Sequence, residues 1–245
     1  IQQFQKCYKF VVKWGEKTST DDKIGTTISS TNVRPSLQDI QKNLKKFVGK
    51  IEQIPPKFSA IKVNGKRAYR LARKKTNFSL NSRTVFIETL KIKKQIDNDH
   101  CSFECICSKG TYIRALARDL GEAMNCFGHI YELRRTHVGK FSDKCSILLD
   151  LSEKLIHSSE ILKNILPIET VLKSLPFINL TKKQEFAIKN GQNICLDELN
   201  IDEQKKNYFL SKSIDDYMIC KNKNRIICFF KIENNSVKPT RVFNL

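Results

Sequence analysis

One short segment changes its hydrophobic period midway, and this change restricts the fold more than any other feature of the chain. Over Cys101–Cys107 apolar and polar side chains alternate, which predicts a strand. After Lys109-Gly110 the apolar residues recur three and four positions apart, as on the buried face of a helix, at Ile113, Leu116, Ala117 and Leu120. The segment therefore predicts a strand, a tight turn and a helix with Thr111 as its N-cap, and so an α/β (α+β) fold.

Arg114 lies in the first turn of this predicted helix, where a cation opposes the helix dipole. A carboxylate or a phosphate held at the helix start would explain it, because the guanidinium group binds both in a forked geometry. The alternative is a solvated arginine on an ordinary helix, and the spacing alone leaves both open.

Further strands and helices are predicted from the same two periods and from their boundary residues. A polar loop, Thr18–Gly25, separates the first two strands, and Asn64-Gly65 is typical of a hairpin turn. In chain order the predicted elements are the strands Cys7–Gly15 and Thr26–Ser30, a helix capped by Ser36 that buries Leu37, Ile40, Leu44 and Phe47 and ends at Gly49, the extended segment Ile54–Lys62, the basic helix Lys66–Lys75 and the strand Thr84–Lys93.

The pattern changes near Pro176. Before it, a turn into a short basic segment, Cys126–Thr136, is followed by Val138–Phe141 and by a predicted helix, Leu148–Pro167. Beyond it the pattern predicts a small, mostly β domain. Its elements are the strands Leu175–Asn179, Ile194–Leu196, Tyr208–Leu210, Tyr217–Lys221 and Arg225–Ile232, and the helix Leu180–Asn190, which ends at Gly191.

The formal net charge of +19 indicates a polyanionic partner. Nucleic acid is favoured over an anionic membrane, because no basic amphipathic helix with bulky apolar anchors is present. No acidic residue occurs between Glu52 and Glu88, and this span combines cations with aromatic rings, as expected for phosphate contact with base stacking: Lys57, Lys62, Lys66, Arg67, Arg70, Arg73, Lys74, Lys75 and Arg83, with Phe58 and Tyr69. Packing of Tyr69 beneath its own helix, and a generically basic protein with solvated lysines, are the alternatives. The residues alone therefore indicate an RNA- or DNA-binding protein.

The nine cysteines lack the paired spacing that is typical of metal sites. Cys105 and Cys107 share one strand face near His100, but reduced thiols in a cytosolic protein are favoured over a metal site. His129 and His137 have no carboxylate at the spacing of a relay, which favours structural or RNA-contact roles over catalysis. No apolar run approaches the roughly 20 residues of a membrane span, and the first residues do not form a signal peptide.

Several blocks of the sequence resemble one family, bacterial tRNA pseudouridine synthase B (TruB). The similar blocks are Tyr8–Gly15, Thr18–Gly25, Ile54–Arg73, Lys109–Arg114, Asp119–Gly121 and Gly128–Arg135, in the family's order. The resemblance implies a mixed, largely antiparallel sheet in a catalytic domain over residues 1–175 and a small PUA-like RNA-binding domain over 176–245. It also implies a cytoplasmic monomer without cofactor or metal that flips uridine 55 out of the T-loop of tRNA and isomerises it to pseudouridine.

The resemblance further implies roles for individual residues. Tyr8 matches the tyrosine that stacks on the flipped uracil and is proposed as a proton acceptor, and Arg114 matches the arginine that pairs with the catalytic carboxylate. Tyr112 and Leu133 match walls of the pocket, and Asp22 matches an acidic position near the active site. The basic span matches an insertion that clamps the tRNA arm, with Lys62, Arg67, Tyr69, Arg73 and the more distant Lys109 as substrate contacts.

The sequence departs from the family pattern at the nucleophile. The family's catalytic aspartate lies in a Gly-x-Leu-Asp-Pro motif upstream of the strand that holds Tyr8, and this sequence contains no such motif. Asp21, Asp22, Asp119 and Asp150 match other positions, so none is assigned as the nucleophile. We therefore expect a fragment of a longer or split gene, inactive unless the missing segment is supplied. The alternative is a catalytically inactive tRNA-binding remnant or a tRNA-folding factor, and the motifs disfavour a DNA-binding protein.

Overall fold

The structure is a computed structural model that describes residues 5–147, 164–172, 175–212 and 217–243. The chain divides into two compact units, residues 1–151 and 152–245. Most of the predicted helix Leu148–Pro167 lies outside the described residues, and its last four residues are not helical.

The first unit is built on a six-stranded antiparallel sheet, as the sequence predicted for an α/β protein with a largely antiparallel sheet. The strands of this unit are β1 Lys6–Trp14, β2 Glu16–Thr18, β3 Thr27–Ser30, β4 Gly49–Gln53, β5 Lys62–Val63, β6 Lys66–Arg67, β7 Arg83–Gln95, β8 His100–Cys107, β9 Gly128–Val138 and β10 Phe141–Ser142. The large sheet has the order β10-β9-β1-β8-β7-β4, while β2 with β3 and β5 with β6 form two small hairpins. The helices of the unit are α1 Leu37–Leu44, α2 Ala68–Arg73 and α3 Ile113–Ala123.

The core lies where one face of the large sheet meets α1 and α3. The alternation predicted for β8 is confirmed, since Cys101, Phe103, Cys105 and Cys107 are at most 1% exposed. Phe103 stacks on Phe10 of β1, with ring centroids 5.3 Å apart, and meets the edge of Trp14 at 6.1 Å. The predicted apolar stripe of α3 packs against this layer.

The prediction that Thr111 caps α3 is wrong. Its hydroxyl instead donates to the carbonyl oxygen of Ser108, 3.1 Å away, and so closes the turn after β8. Tyr112 occupies the N-cap position without a side-chain cap. Gln53 of β4 bonds both backbone groups of Tyr112: its Oε1 accepts from the amide at 2.8 Å and its Nε2 donates to the carbonyl at 3.2 Å. A side chain that is distant in the sequence therefore holds the start of this helix.

The cap predicted for α1 is confirmed, because Ser36 and Asp39 form a reciprocal capping box. Ile40 and Leu44 are buried, whereas Leu37 is 39% exposed, contrary to prediction. The helix also ends earlier than predicted, since a 3-10 turn follows Leu44 and Gly49 begins β4.

Two further predictions in the first unit have different outcomes. The hairpin turn at Asn64-Gly65 is confirmed, with both residues at positive φ. The residues within Cys126–Thr136 and those that follow them were predicted as two separate elements. Gly128–Val138 instead forms one continuous strand, β9, because this strand pairs with β1 along its whole length.

The second unit contains a five-stranded sheet with the order β11-β13-β14-β15-β12. Its elements are β11 Phe177–Asn179, β12 Ile194–Cys195, β13 Met218–Asn222, β14 Arg225–Glu233 and β15 Ser236–Val242, with the helices α4 Glu169–Leu172, α5 Lys182–Lys189 and α6 Glu203–Leu210. The helix predicted before Gly191 is confirmed as α5. The predicted strand Tyr208–Leu210 is wrong: it is the last turn of α6, where Phe209 is buried and its ring meets Phe230 at 6.0 Å.

Candidate functional site

Arg114 at the start of α3 is bound to three acceptors and is not a solvated arginine. Its Nη1 donates to Asp22 Oδ2 and to the carbonyl oxygen of Thr20, each 3.1 Å away, and its Nη2 donates to the carbonyl oxygen of Phe58 at 2.9 Å. The side chains of Arg114 and Asp22 are 24% and 20% exposed. Of the alternatives that the spacing left open, an anion at the helix start is the one observed, and among the described residues Asp22 provides it.

The loop that carries Asp22 is ordered by its own polar groups and by β9. Asp22 Oδ1 accepts from the hydroxyl of Thr20 at 2.5 Å and from the amide of Ile24 at 3.1 Å. The amide of Lys23 donates to the carbonyl oxygen of Ile130 at 2.9 Å, and the amide of Ile130 donates to the carbonyl oxygen of Asp21 at 3.1 Å. The loop thus forms a short bridge to β9, which presents the carboxylate of Asp22 to α3.

A second arginine, Arg118, holds the same loop one helical turn later. Its guanidinium group pairs with Asp21 at 3.0 Å and with Asp119 at 2.8 Å, and its Nη2 donates to the carbonyl oxygen of Ile54 at 2.7 Å. Burial raises the pKa of both carboxyl groups, against the opposing effect of Arg118. Burial alone would lower the pKa of Arg118, but the two carboxylates more than offset it and raise this pKa. The sequence prediction missed this cluster, although the spacing of four from Arg114 places both arginines on one helix face.

Both arginines also reach the segment that leads into the basic hairpin and α2. Their acceptors there are the carbonyl oxygens of Phe58 and Ile54. Arg67 donates to the carbonyl oxygen of Ala60 within the same segment. α3 therefore connects the Asp22 loop with the start of the cation-rich residues 57–75, which we call the basic segment from here on.

The basic segment brings four of the predicted substrate contacts together. Lys62 and Arg67 are paired across the β5–β6 hairpin, and α2 follows directly. The guanidinium carbon of Arg73 lies 5.6 Å from the ring centroid of Tyr69, so the aromatic ring and the cation form one surface. Lys109 lies apart from this group in the sequence, exposed at the turn between β8 and α3.

Tyr8 and Leu133 lie on the adjacent strands β1 and β9. Tyr8 is opposite Cys105 on one side and Arg135 on the other, and it packs at the end of the core. Burial raises the pKa of its phenol, and a hydrogen bond with Arg135 opposes this shift. Leu133 is opposite Phe10 and is 46% exposed, which suits a pocket wall more than a core position.

The remaining candidate groups have structural contacts. All nine cysteines are free thiols. Hydrogen bonding with Cys105 lowers the pKa of the buried Cys107 and raises that of Cys105. His129 is 2% exposed, and its Nδ1 lies 3.1 Å from the carbonyl oxygen of Glu16. Within the described ranges no three side chains of the metal-binding types form a cluster, and no helix is long and apolar enough to cross a membrane.

Two family descriptions match consecutive parts of the chain. Residues 1–113 match "TruB family pseudouridylate synthase (N terminal domain)", and residues 114–173 match "tRNA pseudouridylate synthase B C-terminal domain". The tRNA pseudouridine synthase B of Caulobacter sp. (strain K31) is 36% identical over all of this chain and 78% of that protein. The enzyme of the same name from Ehrlichia ruminantium (strain Gardel) is 38% identical over 98% of this chain and 79% of its own length.

Solved structures share the fold at much lower identity. A Cbf5-Nop10-Gar1 complex contains a chain with a TM-score of 0.67 and 19% identity, matched over 99% of this chain and 67% of that one. An H/ACA RNP bound to a substrate RNA containing 2'-deoxyuridine contains another, with a TM-score of 0.64 and 17% identity over 98% of this chain and 66% of that one. The fold expected from the sequence blocks is therefore also the fold of these chains.

Proposed function

The chain belongs to the TruB family of tRNA pseudouridine synthases, and on that premise we propose that it serves the isomerisation of uridine 55 in the T-loop of tRNA. The pair of Arg114 with Asp22, anchored beside the basic segment, is the observation that carries the proposal. The proposed substrate is the T stem-loop, bound by a monomer. We also propose that residues 1–175 form the catalytic domain and residues 176–245 a PUA-like RNA-binding domain.

The reaction breaks the bond between the ribose and a ring nitrogen of uracil and forms a bond between the ribose and a ring carbon of the same uracil. It is an isomerisation, so there is no net oxidation or reduction. The base must leave its stack before the bond can be reached. Tyr8 supplies an aromatic face for the flipped uracil, and burial raises the pKa of its phenol. The phenol is therefore protonated at neutral pH, and in the resting site it is a stacking group. Arg114 supplies a fixed cation beside a carboxylate at the start of α3.

The nucleophile is proposed to come from a segment with the family's Leu-Asp-Pro motif, which the 245-residue sequence does not contain. Three carboxylates beside Arg114 and Arg118 are already paired. Asp22 is bound by Arg114 and the Thr20 hydroxyl, and Asp21 and Asp119 are both bound by Arg118. We propose none of these three as the nucleophile, because each matches a position of the family other than that of the motif aspartate.

The experiment is a reconstitution on unmodified tRNA transcript. The 245-residue polypeptide is incubated alone, then with a synthetic segment that carries the family's Leu-Asp-Pro motif, and pseudouridine is mapped by nucleotide position. We expect no product from the polypeptide alone and product at position 55 with the added segment. The same segment with its motif Asp changed to Asn is the control for the nucleophile, and a transcript with cytidine at position 55 is the control for the site.

Product from the polypeptide alone would contradict the assigned source of the nucleophile. Product at another position would contradict the proposed substrate. The second candidate function, tRNA binding or folding without chemistry, is favoured by the same paired carboxylates. It predicts tight binding of the transcript and no product even after the segment is added.

A further inference from the structure

A row of lysines and aromatic rings runs across the second unit, outside the site described above. Lys205 and Tyr208 lie three positions apart on α6 and share one helix face, and Lys212 follows two residues after the helix ends at Leu210. Lys205 Nζ lies 5.3 Å from the ring centroid of Phe177 on β11, and Lys221 Nζ of β13 lies 4.4 Å from the same centroid. Lys212 Nζ lies 4.3 Å from the ring centroid of Tyr208. We call these five residues the aromatic–lysine stripe.

Both rings are open to solvent along part of their surface. Phe177 is 37% exposed and Tyr208 is 46% exposed. Phe177 lies on β11, which is the edge strand of its sheet and pairs only with β13 there. A half-exposed phenylalanine on an edge strand presents apolar surface that the fold itself does not cover.

The three lysines of the stripe have no carboxylate partner among the described ion pairs. The neighbouring Lys206 differs, because its ammonium group is paired with Asp197 and lies 4.0 Å from Glu203. Among the residues that the structure describes, three cations are therefore held near two rings without a paired carboxylate to offset their mutual repulsion. If the lysines only covered the rings with their methylene groups, placing three ammonium groups close together would bring repulsion without a benefit.

This combination matches the chemistry of unpaired nucleotides. Aromatic faces stack on bases of any sequence, and lysines beside them contact the phosphates. From Lys205 to Leu210, its last residue, α6 rises about 7.5 Å at 1.5 Å per residue. A stacked strand carries one phosphate per about 3.4 Å, so this helix face alone spans about two nucleotides.

We propose that the aromatic–lysine stripe binds single-stranded RNA, with bases stacked on Phe177 and Tyr208 and phosphates held by Lys205, Lys212 and Lys221. The inference rests on the proposed function in one respect: a chain that acts on tRNA meets unpaired nucleotides outside the loop that it modifies. The stripe shares no residue with the basic segment or with the Arg114 site, so the two can be tested separately.

The test measures the affinity of the full 245-residue chain for a fluorescent 12-nucleotide oligouridine by anisotropy at several salt concentrations. Tyr208→Ala is expected to weaken binding about tenfold through lost stacking. The double variant Lys205→Ala/Lys221→Ala keeps both rings and is expected to reduce the salt slope by about 1.4, at about 0.7 per phosphate contact on a single strand. Lys206→Ala removes the same charge from the next position of α6 and is expected to change the affinity less than twofold.

Unchanged affinity in both stripe variants, with circular dichroism showing an intact fold, would overturn the proposal. An equal loss for Lys206→Ala would also overturn it, since the effect would then be one of net charge. A 12-base-pair RNA duplex should be insensitive to Tyr208→Ala, and equal sensitivity would rule out base stacking. Loss of binding to phosphatidylserine vesicles with retained binding to oligouridine would assign the stripe to a membrane instead.

These outcomes are separate from those of the proposed function. Pseudouridine formation in the reconstituted reaction on an isolated T stem-loop, which has no 3′ single strand, should be unaffected by Tyr208→Ala. Failure of the stripe proposal would show in oligouridine binding and leave pseudouridine formation unchanged. Failure of the synthase proposal would show in pseudouridine formation and leave oligouridine binding unchanged.

Discussion

Arg114 and Arg118 lie one turn apart on α3 and take the carboxylates of adjacent residues, Asp22 and Asp21. They differ in their surroundings. The side chain of Arg114 is 24% exposed and pairs with one carboxylate, whereas that of Arg118 is 15% exposed and pairs with two. We infer that Arg114 is available to a substrate, while Arg118 fixes the loop that positions its neighbour.

Arg118→Ala is expected to lower the free energy of unfolding by about 3–5 kcal/mol, because two buried carboxylates lose their counter-charge. The single tryptophan, Trp14, is buried in the same unit and reports unfolding in urea by fluorescence. Arg134→Ala is the matched control, since the Arg134 side chain is 71% exposed beside Asp143 and should contribute under about 1 kcal/mol.

The pH dependence of Arg118→Ala gives a second check. Burial raises the folded-state pKa of Asp21 and Asp119 above the ordinary aspartate value of 3.8. Such groups favour the folded state below pH 3.8 and lose this contribution as pH rises through the raised pKa. Without Arg118 the raised pKa moves further up, so the deficit against the wild type should shrink as pH falls toward 4. A deficit that is no larger than that of Arg134→Ala would contradict the prediction.

At the scale of elements, α3 meets the start of β9 through two glycines. A Cβ atom on Gly121 would lie 2.5 Å from the amide nitrogen of Gly128 and 2.7 Å from the carbonyl carbon of Phe127. A Cβ atom on Gly128 would lie 2.8 Å from the carbonyl oxygen of Ala117. The helix can therefore approach β9 this closely only because both positions lack a side chain.

Gly121→Ala is expected to destabilise the first unit by about 1–3 kcal/mol, although alanine has the higher helix propensity. The backbone atoms that the new methyl group meets cannot rotate away, so α3 itself must shift. Urea unfolding followed by Trp14 fluorescence measures the effect. Glu122→Ala, at the next position and half exposed beside Lys17, should change the stability by under about 1 kcal/mol. A stabilised Gly121→Ala variant would show that propensity outweighs the close contact.

In the second unit, Glu185 of α5 joins the helix to the β13–β14 hairpin. Its carboxylate accepts from Asn222 at 2.6 Å and from Arg225 at 2.7 Å, and it pairs with Lys189 at 3.0 Å. The hydrogen bond with Lys189, helped by Asn222 and Arg225, lowers the pKa of this carboxyl group below the ordinary glutamate value of 4.5. The contact therefore stabilises the folded state above pH 4.5 and is lost as pH falls through the lowered pKa.

Glu185→Gln should consequently destabilise the second unit at pH 7, and its difference from the wild type should diminish below pH 4.5. Hydrogen exchange of the β13 and β14 amides at pH 7 and at pH 3.5, followed by mass spectrometry, measures the change in local stability. Glu233→Gln is the control, because Glu233 pairs with Lys238 at an exposed position. A difference that persists unchanged at pH 3.5 would contradict the assigned charge contact.

Across the whole molecule, the net charge of +19 is expected to make the proposed binding of tRNA strongly salt-dependent. Part of this charge is concentrated on the hairpin and α2, where Arg67 and Arg73 lie near Tyr69. Arg67→Ala/Arg73→Ala is expected to weaken tRNA binding and to reduce the slope of log affinity against log salt by about two, at about 0.9 per phosphate contact.

The measurement is a filter-binding titration of tRNA transcript at several salt concentrations. Lys93→Ala is the matched control, since Lys93 lies on β7 and is paired with Glu104. An unchanged slope for the arginine variant would reject the clamp role of the basic segment. A reduction of similar size for Lys93→Ala would show that charge counts wherever it lies.

Local patterns predicted local elements well. The alternation of Cys101–Cys107, the cap at Ser36 and the turn at Asn64-Gly65 all depend on residues within a few positions of one another, and each is confirmed. The errors occurred where distant partners compete with the local pattern. Tyr208–Leu210 was predicted as a strand, but burial of Phe209 against Phe230 of another element belongs to a helix.

By itself, the sequence determined many of the strands and helices, the clustered positive charge and the blocks that indicate a family, because periods, caps and composition are properties of neighbouring residues. Tertiary structure alone decided which groups meet. Arg114 and Asp22 are 92 residues apart and Arg118 and Asp21 are 97 apart, while Gln53 holds the start of α3 from 59 positions away. Such contacts form only when the sheet brings these segments together, and no local pattern encodes the pairing.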